Sequence, residues 1–184
     1  MRSDAEASSS QRISPLSMWV LTLVSFVVSR LSILPTVLEF RMDEVLYAEW
    51  AQGIASGQFP VSDERYQYPP GAGLYFLVLE VVPGSFHRSF MASVLLADIL
   101  ILVLLLLQVR RGKGSWWGPW SWIVGGALAG GLLYERYDVF SAVFAVAALL
   151  ALSRPLASGV AAGLGTALKV WPVFTLLAVP RKDL

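Results

Sequence analysis

The chain has 184 residues, 56% hydrophobic and 15% charged, with a mean hydropathy of +0.63; a soluble core of this size could not hide so much apolar surface, and the composition is that of an integral membrane protein. A formal net charge of +1 with no dense Lys/Arg run excludes nucleic acid as a partner. The absence of cysteine removes disulfides, thiol chemistry and Cys-based metal sites, and a single histidine, His87, argues against a His-built one.

Residues 1–15 are polar and Ser-rich, which predicts a disordered cytosolic tail. Leu16 to Phe40 is an apolar run of spanning length without a small-residue cleavage motif, so it reads as an uncleaved first span with the N-terminus in the cytosol. Arg30 lies deep in this run. A cation at that depth must face the bundle interior or a water-filled cavity beside a carboxylate, and Asp98, midway along a later span, is the candidate for a structural pair.

Arg41 to Tyr75 is the one long polar stretch between apolar runs, carrying Asp43, Glu44, Glu49, Asp63 and Glu64 against Arg41 and Arg65. It opens an external loop over 41–87. Asp43 to Ser56 has helical character and is stopped by Gly57 and Pro60; Asp43, Tyr47 and Trp50, spaced i, i+4, i+7, share one side. Two readings stay open for the aromatics: an anchor at the headgroup level, or a platform for a ligand. Tyr68-Pro69-Pro70-Gly71 then stiffens the backbone before Leu74 to Val82, a stretch too short to span that should dip into or lie along the outer leaflet.

The next span, about 88–109, ends in Arg110, Arg111 and Lys113 with no acid nearby, so the positive-inside rule places that end in the cytosol and the 41–87 loop outside. A third span over 116–134 starts at a cluster of Trp116, Trp117, Trp120 and Trp122 and contains Gly125-Gly126 and Gly130-Gly131, small residues that permit close packing. Tyr134 to Asp138 forms a polar turn on the outer side, and a fourth span returns over 138–153. A fifth stretch, 156–180, is expected to break at Lys169 to Pro172, because a straight span would leave Arg181-Lys182 outside. The expected fold is all-α: a polytopic membrane helical bundle of four to six membrane helices in a single domain over 16–184, with interfacial helices in the first external loop.

This topology gathers Asp43, Glu44, Arg136, Asp138 and Lys169 towards the outer face. An acid beside cations at a membrane surface suits a reaction in which a carboxylate accepts a proton while cations hold a phosphate. Two other classes fit more loosely. A transporter or channel subunit would use the broken fifth helix, Arg30 and Asp98 to line a path, but no internal repeat is evident; a non-catalytic scaffold would use the loop to bind a partner.

A span followed at once by Met42-Asp43-Glu44, then Tyr47, Gly57-x-x-Pro60 and Tyr68-Pro69-Pro70, resembles the first loop of membrane glycosyltransferases of the GT-C fold. Tyr134-Glu135-Arg136-Tyr137-Asp138, Ala161-Ala162-Gly163-Leu164-Gly165 and Ala167-Leu168-Lys169-Val170-Trp171-Pro172 are similar to glycosyltransferase family 87, which includes mannosyltransferases that use polyprenyl-phosphate mannose. The resemblance implies inverting transfer of mannose or another hexose from a polyprenyl phosphate to a hydroxyl of a glycolipid or glycan acceptor, on the extracytoplasmic face of the cell membrane. It assigns Asp43 as general base and Lys169 and Arg136 as cations for the leaving phosphate. Asp138 would orient Arg136 or bind sugar hydroxyls, Glu44 would join the substrate site, and Tyr47 and Trp50 would stack on a sugar face. No cofactor is implied beyond the lipid-linked substrate, and the sparse carboxylates do not demand a divalent metal. Members of this fold usually have more spans, so the resemblance covers an N-terminal half, with a C-terminal half expected on another chain.

Overall fold

The computed structural model describes residues 14–39, side chains only as far as 36 for this helix, and 42–179. The tail over 1–13, Arg41 and the Arg181-Lys182 pair lie outside the described residues. Those described form an all-helical chain with no strand: α1 (Pro15–Glu39), α2 (Met42–Ala55), α3 (Pro70–Val81), α4 (Phe86–Arg110), α5 (Trp117–Ala129), α6 (Leu132–Glu135), α7 (Asp138–Leu150), α8 (Pro155–Leu168) and a closing 3-10 helix (Trp171–Ala178).

Local chemistry accounts for several boundaries. Pro70 and Pro155 stand in the first turn of α3 and α8, where a missing N–H costs nothing and a fixed φ favours the helix. Ser85 caps α4 by accepting from the Arg88 N–H at 3.4 Å, and Arg110 in the last turn complements the helix dipole. α1 and α4 have 25 residues each, about 37 Å at 1.5 Å per residue, enough to cross a hydrocarbon core of about 30 Å. Their length and composition suit membrane spans over Pro15–Thr36 and Phe86–Arg110. Along α1 the exposed side is an unbroken apolar stripe, Val20, Val24, Val27, Val28 and Leu31, each more than half exposed at 52–62%. Water would not tolerate such a stripe, whereas lipid would.

The third predicted span differs from the structure. α5 has 13 residues and ends at Gly130, whose φ of 60° and ψ of −140° lie in a region open almost only to glycine. The sequence reading took Gly130 for a packing residue, but it turns the chain so that Gly131 opens the short α6. The Tyr134 to Asp138 turn is also less polar than expected, since Tyr134 and Tyr137 are both buried. The break in the fifth stretch is present: α8 stops at Leu168, Lys169 is extended at φ −152° and ψ 136°, and the 3-10 helix packs back on α7 and α8.

α4 and α7 pack together, with α8 and the 3-10 helix against α7, α2 against α3, and α1 against α5. Two cores result. The larger is aromatic, built from Tyr47, Trp50, Tyr75, Phe76, Phe90 and Tyr137, to which α3 contributes one face while Leu74, Val78 and Val81 stay exposed on its other side. The smaller joins Phe26, Leu102, Leu106 and Ile123, with Trp19 and Trp116 edge-to-face at 5.3 Å.

Candidate active site

α2 begins with two consecutive acids, a favourable place beside the positive end of the helix dipole. Successive helical residues point about 100° apart, so Asp43 and Glu44 diverge. Glu44 turns inward, 9% exposed, and both its carboxylate oxygens lie 2.8 Å from Nδ1 of His87 at the start of α4. That pairing ties α2 to α4 and leaves Glu44 no face for substrate. Asp43 stays at the surface, and its Oδ2 forms an ion pair with Nε of Arg136 at 2.9 Å. The Asp43 carboxylate holds the Arg136 guanidinium above its ordinary pKa.

Arg136 is extended at φ −115° and ψ 143°, so the side chains of Arg136 and Tyr137 part to opposite sides. Tyr137 goes fully inside, where its hydroxyl donates to the Leu168 carbonyl at 3.2 Å and fixes the end of α8. Lys169 follows directly. Its Nζ donates to Oδ2 of Asp138 at 2.6 Å and lies 5.1 Å from the Tyr137 ring centre and 5.5 Å from that of Tyr68, close enough for cation–π attraction. Asp138 thus holds Lys169 rather than orienting Arg136. The start of α2, the α6–α7 linker, the first turn of α7 and the end of α8 supply two acid–cation pairs around one buried tyrosine.

Beneath the pairs is an aromatic floor. Tyr47 stacks on Phe76 with ring centres 4.6 Å apart and planes 13° apart, meets Tyr137 edge-on at 5.4 Å, and approaches the Tyr68 hydroxyl at 3.5 Å. Burial pushes the Tyr47 and Tyr137 phenols well above their ordinary pKa, so both stay protonated. The indole N–H of Trp50 donates to Oδ2 of Asp63 at 2.9 Å. Hydrogen bonds from Arg65, reinforced by that indole, hold the Asp63 carboxyl below the usual range. With 1% and 4% exposure, Tyr47 and Trp50 offer no free ring face. Neither the headgroup anchor nor the sugar-stacking platform expected from their spacing is compatible with that burial; they are the packed base on which Asp43 rests.

A second charged cluster lies apart from this one. Arg30 and Asp98 pair as expected, Nε to Oδ2 at 2.8 Å and Nη2 to Oδ1 at 2.9 Å. Asp98 also accepts from the Trp122 indole at 2.7 Å and the Tyr134 hydroxyl at 2.6 Å, and Arg30 Nη1 donates to the Ile123 carbonyl at 3.2 Å and the Ser29 hydroxyl at 2.8 Å. Gly126 makes the room: a methyl group there would come within 2.7 Å of the guanidinium carbon. Trp122, one of the tryptophan cluster that opens the expected third span, points inward to the acid. Sequence reasoning missed His87, which carries no periodic signal, and Tyr137, which was in view inside a quoted motif but read as part of a polar turn. Among the described residues no three His, Asp or Glu side chains converge as a cation site would need.

Fold and site together define an all-helical protein, two of its helices long and apolar enough to cross a membrane, with a charged site over an aromatic floor at one end of its bundle. Comparison with protein families resolves this class further: the model of glycosyltransferase family 87 matches residues 66–183, and the chain belongs to that family. Its activity class is accordingly that of a glycosyltransferase, which takes a sugar donor and an acceptor. Comparisons with curated proteins and with solved structures gave no match. The matched segment contains Tyr68, Arg136, Asp138 and Lys169 but starts beyond Asp43, which joins them through its ion pair with Arg136.

Proposed function

We propose that the chain transfers a hexose, mannose being the leading candidate, from a polyprenyl-phosphate donor to a hydroxyl of a glycolipid or glycan acceptor, with Asp43 as general base. The observation that carries this reading is the meeting of the Asp43–Arg136 and Asp138–Lys169 pairs around Tyr137. The donor is a phosphodiester with one negative charge; its leaving group is a phosphomonoester with two. Cations beside the leaving oxygen therefore gain attraction as the bond breaks, which is what transition-state stabilisation requires. Arg136 and Lys169 fill that role, and Asp138 positions Lys169.

Asp43 takes the proton of the acceptor hydroxyl as its oxygen attacks the anomeric carbon from the face opposite the phosphate. The new C–O bond forms, the C1–O bond to phosphate breaks with its electron pair, and polyprenyl phosphate departs without needing a proton. The anomeric configuration inverts. In the resting site Arg136 is paired with Asp43; an arriving phosphate competes for that guanidinium and frees the carboxylate to act as base.

This reading sets the Asp43 end outside and the Arg110, Arg111 and Lys113 end in the cytosol, by the positive-inside rule. α5 with α6, α7 and α8 complete the bundle beside the two long helices as one domain over 16–184, with four to six membrane helices. The test is donor choice. Membranes containing the chain should transfer label from a polyprenyl-phosphate hexose and ignore a nucleotide sugar, giving a product of inverted anomeric configuration. Transfer from the nucleotide sugar alone would sink the donor assignment, and retained configuration would sink the single-displacement mechanism.

A further inference from the structure

At the end of the bundle opposite Asp43, the last turns of α4, the end of α7 and the start of α8 enclose a cleft of about 450 Å³. Leu104, Leu107 and Leu150 give it apolar walls, and Arg111, Lys113 and Arg154 give it charge; none of the described residues lining it is acidic. The three cations are exposed, and none has an ion-pair partner among the described residues. Gln108 also lines the cleft, and its amide oxygen is buried without a hydrogen-bond partner among the described residues.

Uncompensated cations beside an apolar wall, at the end of a helix of spanning length, match a molecule with a phosphate head and an acyl tail. We propose that this cleft binds the headgroup of an anionic phospholipid. Arg111, Lys113 and Arg154 hold its phosphate, and an acyl chain lies along Leu104, Leu107 and Leu150. The site is separate from the Asp43 cluster and depends on the membrane assignment, not on the choice of sugar donor.

The test uses the full chain, delipidated in detergent and offered phosphatidylglycerol or phosphatidylcholine, with retained lipid counted by native mass spectrometry. Phosphatidylglycerol should be preferred on the order of 30- to 150-fold, as expected for two or three cations at a membrane surface. The Arg111→Gln/Arg154→Gln double variant should lose that preference, as should Lys113→Gln in part, while Arg110→Gln, exposed but outside the cleft, should keep it. Preference surviving in the double variant, or lost equally in Arg110→Gln, would overturn the site. Displacement of the lipid by millimolar inorganic phosphate would overturn the lipid as ligand and leave a site for free anions.

Discussion

Two of the aspartate–arginine pairs among the described residues join separate elements, one midway along α1 and α4 and one where α2 meets the α6–α7 linker. Arg30 and Asp98 have side chains 7% and 0% exposed, and Asp98 accepts four hydrogen bonds. Arg136 and Asp43 have side chains 52% and 30% exposed and share a single ion pair. A carboxylate already saturated with donors has no lone pair to offer a substrate, so the mid-bundle pair can only hold helices together. A half-exposed pair gains little from its own attraction and can exchange partners when an anion arrives. Sign and residue type do not separate a structural pair from a working one; solvent access and remaining hydrogen-bond capacity do.

The comparison breaks most visibly at its buried half. Arg30→Met leaves Asp98 buried beside two neutral donors, and losing one partner of a buried pair costs about 3–5 kcal/mol; thermal unfolding in detergent should register that loss. Adding Asp98→Leu should recover much of it, since apolar replacement of a whole buried pair is commonly near neutral. The surface half should respond in the opposite currency. Lys169→Met should lower the transfer rate by about 10²–10³-fold, the usual effect of removing one donor to a developing charge, while leaving the unfolding temperature close to native.

Gly130→Ala strains the backbone between α5 and α6, at about 1–3 kcal/mol for a conformation of this kind. It should also misplace Tyr134 and weaken the shell around Asp98, so unfolding should again be the sensitive measurement. The smallest effect concerns pH. Because the folded Asp63 carboxyl is held below its ordinary pKa, its stabilising contribution is present above the unfolded value of about 4 and is lost as pH falls towards the folded value. Stability curves of the native chain and Asp63→Asn should therefore differ modestly at neutral pH and converge in acid.

Much of this arrangement was legible in the sequence, for particular physical reasons. α1 and α4 were readable because spanning length and apolarity are their own signal. Arg30 announced its partner because a mid-span cation needs a carboxylate, and Asp98 stood midway along the next long span. Pro172 and the polar Lys169 marked the break after α8. Gly130 was harder, since a glycine pair in an apolar run serves close packing or chain reversal equally well and only φ distinguishes them. The gathering of Asp43, Arg136, Asp138 and Lys169 followed from counting spans, but who pairs with whom did not. That choice depends on the extended Arg136 and on Tyr137 anchoring α8, neither of which has a sequence signature. Tyr47 and Trp50 misled for a related reason: spacing says that two rings share a side of a helix, not that Phe76 and Tyr137 cover it.

The central claim is that Asp43 acts chemically and is not needed to hold the fold. It is tested most directly by the rate of sugar transfer from a labelled polyprenyl-phosphate hexose by Asp43→Asn, normalised to folded protein. Asparagine keeps the shape and removes the base, so the rate should fall by about 10²–10⁴-fold, the range lost with a general base. A rate within about threefold of native would contradict the account, because a step worth so little cannot be proton removal by a positioned carboxylate.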